Sequence, residues 1–122
     1  MIGWSVAIVE PREFGGTCAL RGCNPKKVLV HAAELIDAVR RNDGMLIEDP
    51  GAKIDWPSLF RFKESFVKSI PESSLEKFRE AGIECIAGTG RFAGPDTIAV
   101  GTERYRAKRI LVATGATPRP LD

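Results

Sequence analysis

Gly15-Gly16-Thr17-Cys18-Ala19-Leu20-Arg21-Gly22-Cys23-Asn24-Pro25-Lys26-Lys27 sets two cysteines five positions apart immediately before a strong helix start. In a straight helix, residues five apart are separated by roughly 7.5 Å along the axis. The usual Cα separation of a disulfide is roughly 4.4 to 6.8 Å, so a bond between these sulfurs needs a bend between them. Gly22 has the backbone freedom to make that bend. Asn24 reads as an N-cap and Pro25 as the first helical residue, which puts Cys23 at the positive end of a helix, near Arg21, Lys26 and Lys27. That field favours the thiolate. Taken without their surroundings, two cysteines at this spacing also fit half a zinc site or a pair of buried thiols.

Upstream, Val6-Ala7-Ile8-Val9 is an unbroken apolar run ending in Glu10-Pro11, the pattern of a buried parallel strand. Downstream, Pro25 to Arg41 carries Val28, Ala32, Leu35, Ile36 and Val39 at helical spacing and ends near Gly44. Residues 45 to 55, with Pro50-Gly51, read as a loop. Asp55-Trp56-Pro57 starts a second helix bearing Leu59, Phe60, Phe66, Val67 and Ile70, which Pro71 should kink or break. Ser73 with Glu76 resembles a capping box for a continuation to Ala81, and Gly82 is a C-terminal stop. The period then becomes strand-like over Ile83 to Ala87, Thr97 to Val100 and Tyr105 to Lys108, a small antiparallel meander with turns at Gly94-Pro95-Asp96 and Gly101-Thr102. Arg109 to Ala113 reads as a last apolar strand, followed by the breakers Pro118 and Pro120. The order of elements predicts an α/β fold: a parallel sheet with helices, plus the meander as a side layer.

The bulk numbers exclude several classes. The 122 residues suffice for one ordinary domain, and 43% hydrophobic content is that of a globular protein. A net charge of +2, from 18 basic and 16 acidic residues without a basic block, argues against nucleic acid as a partner. No apolar run approaches the roughly 18 residues of a membrane span, and the start of the chain lacks the pattern of a secretion signal, so a cytoplasmic location is expected. Three cysteines make an odd count, and in that compartment a close pair favours a catalytic, redox-sensing or metal-binding role over a structural disulfide framework. His31 is the only histidine and Cys85 sits apart in an apolar strand, so no metal site is expected; His31 reads as a surface or packing residue and Cys85 as an inert thiol. Phe60, Phe62 and Phe66 read as core and edge contacts.

In their order these pieces resemble the FAD-binding domain of the class I pyridine nucleotide-disulfide oxidoreductases, the family of glutathione reductase, dihydrolipoamide dehydrogenase and mercuric reductase. The resemblance covers nearly the whole chain. Its most specific element is Gly-Gly-Thr-Cys, three residues, then Gly-Cys-x-Pro-Lys-Lys, with the strand ending in Glu10 and the terminal Ala113-Thr114-Gly115 in the expected places. The resemblance implies a redox-active pair in which Cys23 is the thiolate facing the flavin and Cys18 the interchange thiol facing the substrate. By position it gives Glu10 to the ribose hydroxyls of FAD, Gly16, Thr17, Cys18 and Lys26 to the flavin side, with Lys26 beside flavin N5. Gly88 becomes the backbone contact to adenine, and Thr114 with Gly115 the second flavin-binding turn. It implies FAD as cofactor, NAD(P)H as reductant in the parent enzyme, and a small disulfide or thiol-reactive compound as substrate.

The departures carry expectations of their own. No Gly-x-Gly-x-x-Gly loop or strand stands ahead of Val6, so residues 1–122 are expected to form a partial Rossmann-like FAD-binding domain lacking the first strand, with nicotinamide-binding and dimerisation domains absent. Val6 to Val9 and Ile110 to Val112 should then lack a neighbour, and the chain should be marginally stable, aggregate, or pair with a copy of itself or with a complementing chain. Ala19-Leu20-Arg21 differs from the commonest residues between the family's cysteines. Two functions follow as expectations: an FAD-dependent, nicotinamide-linked disulfide reductase inactive as this chain alone, or a non-enzymatic remnant or interaction module that keeps the fold and binds no FAD.

Overall fold

A computed structural model describes residues 3–48, 51–117 and 119–121. The expectations resting on Met1, Pro50 and Pro118 lie outside these residues. The chain divides into two units, one of Met1–Glu13 with Leu75–Asp122 and one of Phe14–Ser74.

In the first unit, the apolar run forms strand β1 (Val6–Glu10), which pairs in parallel with β2 (Ile83–Ala87), Val6 opposite Ile83 and Glu10 opposite Ala87. Among the described residues, β2 is the only strand paired with β1. Ile83–Ala87 therefore belongs to the parallel sheet and not, as its position predicts, to the meander. A parallel partner for β1 needs a long crossover, and the intervening helices supply one. The meander consists instead of β3 (Gly90–Gly94), β4 (Thr97–Val100) and β5 (Glu103–Arg106), antiparallel in that order. The glycines at both ends of β3 conceal it in the sequence, and a bulge between Phe92 and Gly94 adjusts its register to β4. Gly101, at φ 59°, takes the first position of the two-residue loop joining β4 to β5, a site that requires positive φ. The last strand ends at Arg106 and not Lys108, and Ala107 N–H donates to the Asp96 carbonyl just beyond the Thr97–Arg106 pair. Ile86 and Val100, both 8% exposed, are the buried apolar residues of this unit.

Arg109 to Ala113 is not a strand. The stretch is irregular, with Leu111 90% exposed and Val112 63% exposed. Its apolar pattern suits a strand, but among the described residues no ladder includes it, and a strand needs a neighbour to take its backbone hydrogen bonds.

The second unit is helical. A short helix α1 (Gly16–Leu20), not evident in the Gly-rich sequence, leads into α2 (Cys23–Asn42). The start of α2 differs from the predicted Asn24 cap: Gly22 is the N-cap and its carbonyl accepts from Lys26 N–H at 3.1 Å. Pro25 stays in the first turn, where a missing N–H costs no intrahelical bond. Helix α3 (Trp56–Val67) is capped by Asp55, whose carboxylate accepts from Ser58 N–H at 3.2 Å. Helix α4 (Ile70–Glu80) begins one residue before Pro71, so the proline separates two helices as expected. The predicted capping box is absent. Ser73 lies inside α4 and its hydroxyl donates back to the Ile70 carbonyl at 3.2 Å, because Pro71 suits the first turn and moves the start upstream. Gly82, at φ 72°, ends the helix, donating to the Arg79 carbonyl.

Phe14 and Val67, 6% and 7% exposed, are the most buried apolar side chains of the helical unit. Phe60, Phe62 and Phe66 are 55%, 57% and 51% exposed and are not core residues. Phe62 and Phe66 meet edge to face at 5.0 Å and, with Leu59, line an apolar groove against α2.

Candidate functional site: a cysteine pair at a helix junction and a strand-end carboxylate

Gly22 shapes the thiol-bearing junction. A Cβ there would stand 2.9 Å from the Thr17 carbonyl oxygen and 3.1 Å from Cys18 Cα, so only glycine lets the start of α2 lie directly on the backbone of α1. Arg21 N–H closes the end of α1 on the same Thr17 carbonyl at 2.9 Å. The consequence is chemical. Cys18 lies in α1 against residue 22, and Cys23, the next residue, opens α2; both carry exposed free thiols. The predicted bend exists, built as a helix-to-helix corner. Lys26 and Lys27 are exposed in the first turns of α2, a position ordinary helices reserve for acids.

Gly15 and Gly16 set the entry to this corner. Gly15 has φ 143° and a Cβ on it would stand 2.8 Å from Ile70 Cγ2, so the chain passes the start of α4 without room for a side chain. Thr17 contributes its carbonyl to the corner and remains exposed. The motif spacing could show the cysteines; the packing role of Gly22 on Cys18 becomes visible only when α1 is known to be a helix.

The strand unit brings together two other residues singled out in the sequence. Gly88 N–H donates to the Glu10 carbonyl at 2.9 Å, which places both residues at the carboxyl ends of the parallel strands, where ligands of α/β sheets bind. One Glu10 carboxylate oxygen accepts from Arg12 N–H at 3.0 Å, which turns the side chain back over the end of β1. Gly88 has φ 143°, and a Cβ on it would reach 2.5 Å from Val100 Cγ1, so its backbone stays bare. Gly88, Gly90 and Ala93 have Gly-x-Gly-x-x-Ala spacing, but they lead into strand β3 and offer no helix end to a phosphate.

Thr114 and Gly115 follow the last strand of the first unit. They lie in the irregular stretch after Arg109, exposed, with Gly115 at φ 77° and open space where its Cβ would be. Cys85 is half-buried in β2, and His31 is exposed 3.8 Å from Glu34. Among the described residues no three His, Cys, Asp or Glu side chains gather in a way that could hold a metal, and no helix is long and apolar enough to cross a membrane.

A family model described as pyridine nucleotide-disulphide oxidoreductase matches residues 2–122. The chain belongs to this family. Among its relatives, the dihydrolipoyl dehydrogenase of Chlamydia muridarum is 33% identical over 120 residues, 96% of this chain and 26% of that protein. The glutathione reductase of Burkholderia cepacia is 33% identical over 116 residues, 95% of this chain and 26% of the relative. The mercuric reductase of Lysinibacillus sphaericus is 31% identical over 117 residues, 95% and 21% of the two chains. The chain thus spans about a quarter of the length of the curated relatives it matches, 26% in the first of them. The α/β fold with its small antiparallel sheet is that of a partial FAD-binding domain of these oxidoreductases, a family dependent on FAD and NAD(P).

Proposed function

We propose that this chain is the thiol-bearing part of an FAD-dependent, nicotinamide-linked disulfide oxidoreductase, with Cys18 and Cys23 as its redox pair. The observation that carries the reading is the Gly22 contact, where the backbone of residue 22 meets Cys18 directly beside Cys23. Two exposed thiols at such a corner can alternate between dithiol and disulfide without unfolding either helix.

In the reaction, the Cys18 thiolate attacks one sulfur of a small disulfide substrate. A mixed disulfide forms and the other substrate sulfur leaves as a thiolate that takes up a proton. The Cys23 thiolate then attacks Cys18 Sγ, releasing the second substrate thiol and leaving a Cys18–Cys23 disulfide. The substrate has gained two electrons and the cysteine pair has lost them. FAD, when bound, returns two electrons to the pair from a reduced nicotinamide. The residues present suit parts of that cofactor within each unit: in the first, Glu10 and the bare backbone of Gly88 for the adenosine end and Thr114 with Gly115 for a flavin-binding turn; in the second, Gly16, Thr17, Cys18 and Lys26 for the flavin side. The Lys26 ammonium would favour electron-rich flavin.

Thiol counting after mild oxidation of the 122-residue polypeptide tests the pair. Two of the three thiols should disappear together, with Cys18 and Cys23 joined in the peptide map and Cys85 still free. Cys18→Ser and Cys23→Ser should each abolish the intramolecular bond. Oxidation through Cys85 in the unsubstituted chain would refute the assignment.

A further inference from the structure

The far end of α2 carries a second concavity, and the thiol reading makes no use of it. Ala33, Asp37 and Arg40 stand at helical spacing on one face of α2, joined by Ile36, and the segment leading into α3 crosses them with Lys53, Ile54 and Trp56. Together they line an open cleft of about 390 Å³, the small end of the size of ligand pockets. Arg40 is seventeen residues beyond Cys23 in one helix, about 25 Å along its axis. A ligand here does not reach the thiols.

Three features define what the cleft would take. Trp56 is 61% exposed, a large apolar ring left in water at the rim of a concave surface. The cation–π contacts among the described residues are at Phe60 and Trp4, so the Trp56 ring has no cation over it. The charges are also unbalanced. Asp37 is engaged by Arg41 at 2.9 Å, while the ion pairs among the described residues leave Arg40 and Lys53 without a carboxylate. The floor between them, Ala33, Ile36 and Ile54, is apolar. An indole, an apolar floor and two unpaired cations, one of them a guanidinium suited to two-point binding of an oxyanion, form a complementary set.

We propose that this cleft is a binding site for a small aromatic anion, its ring lying on Trp56 and the apolar floor and its phosphate or carboxylate held by Arg40 and Lys53. Ring and anion are both required. The apolar floor adds nothing to the affinity of a bare phosphate, and without the cations an uncharged ring gains only stacking of about 1 kcal/mol.

The test uses the full chain carrying Trp4→Phe, which leaves Trp56 as the only tryptophan and its fluorescence as the reporter. Phenyl phosphate is titrated at constant ionic strength, with inorganic phosphate and phenol as separate probes. Saturable quenching by phenyl phosphate is expected, at least about tenfold tighter than either probe, with Arg40→Gln and Lys53→Gln each weakening it about tenfold. Both side chains are exposed, and unchanged circular dichroism separates lost binding from lost folding. Equal affinity for inorganic phosphate would reduce the site to a basic surface and overturn the proposal. So would equal affinity for phenol, a response unchanged in Arg40→Gln, or no saturable response. Oxidation of Cys18 and Cys23 should proceed normally in every variant, so this result and that of the thiol experiment stand independently.

Discussion

The α1–α2 corner is closed by contacts among residues at most five positions apart, whereas Ile110–Val112 could become a strand only with a neighbour from elsewhere in the chain. Both segments have clear patterns. The corner forms because Thr17, Cys18, Arg21 and Gly22 satisfy one another: one carbonyl, one N–H and one missing side chain decide the geometry. The Arg109–Ala113 stretch has apolar side chains but, among the described residues, no ladder, and Leu111 stays in solvent. A helix makes its hydrogen bonds within itself and a strand does not. Chemistry built on a helix corner is therefore specified by a short motif, and chemistry resting on a strand end depends on the sheet around it.

The corner depends most on Gly22. Gly22→Val should destabilise the chain by about 3 kcal/mol, the upper end for overpacking, because both atoms it strikes are backbone. It should also slow formation of the Cys18–Cys23 bond by at least about tenfold, the equivalent of 1.4 kcal/mol. Urea unfolding and oxidation kinetics read the two effects; a fully tolerated valine would mean that the corner is not packed in this way. At the end of the sheet, Gly88→Ala should cost about 2 kcal/mol, from positive φ and the approach to Val100. A loss below about 0.5 kcal/mol, the range of neutral surface changes, would show a looser β2–β3 turn.

Leu111→Asp sharpens the other side of the contrast. At 90% exposure the leucine packs on little, so the substitution should change stability by less than about 0.5 kcal/mol. A loss of 2 kcal/mol or more in thermal unfolding would reveal that 110–112 is paired in solution.

The smallest expected effect is in the titration of two carboxylates. Hydrogen bonds from Ser58 hold Asp55 below the usual carboxylate range, and a hydrogen bond from the Arg106 guanidinium does the same for Asp96, with help from Thr97. In both, the folded value is the depressed one. The stabilisation is present above the unfolded carboxylate range and is lost as pH falls through the folded values. Carbon NMR of the two carboxyl groups should give midpoints below those of unfolded Asp. Ser58→Ala should raise the Asp55 midpoint and leave Asp96 unchanged, because one bond spans three residues and the other joins the ends of the β4–β5 hairpin.

Much of this was legible in the chain because the signals are local. Asp55 before Trp56-Pro57 marks a helix start, Gly82 marks a stop, and the apolar run of β1 marks a parallel strand, though one left half-exposed, with Val6 at 43%, and not buried as its pattern predicts. Local signals also misplace boundaries. Asn24 has the chemistry of a cap, but Gly22 takes that position because its close approach to Cys18 starts the helix earlier. Ser73 with Glu76 has the spacing of a capping box, yet Pro71 suits the first turn and α4 begins upstream. The phenylalanines of α3 have core chemistry and lie half in solvent, which no periodicity could disclose.

Residue type, spacing and helix-end chemistry within a few positions are enough to mark the α/β class, the family and the Cys-x4-Cys motif. Tertiary structure alone decided that Ile83–Ala87 joins β1, that Glu10 and Gly88 meet at one end of a parallel pair, and that Ile110–Val112 remains irregular. Strand pairing exchanges hydrogen bonds between segments far apart in sequence. A strand's own residues state its readiness to pair, and the partner is fixed only when the rest of the chain is in place.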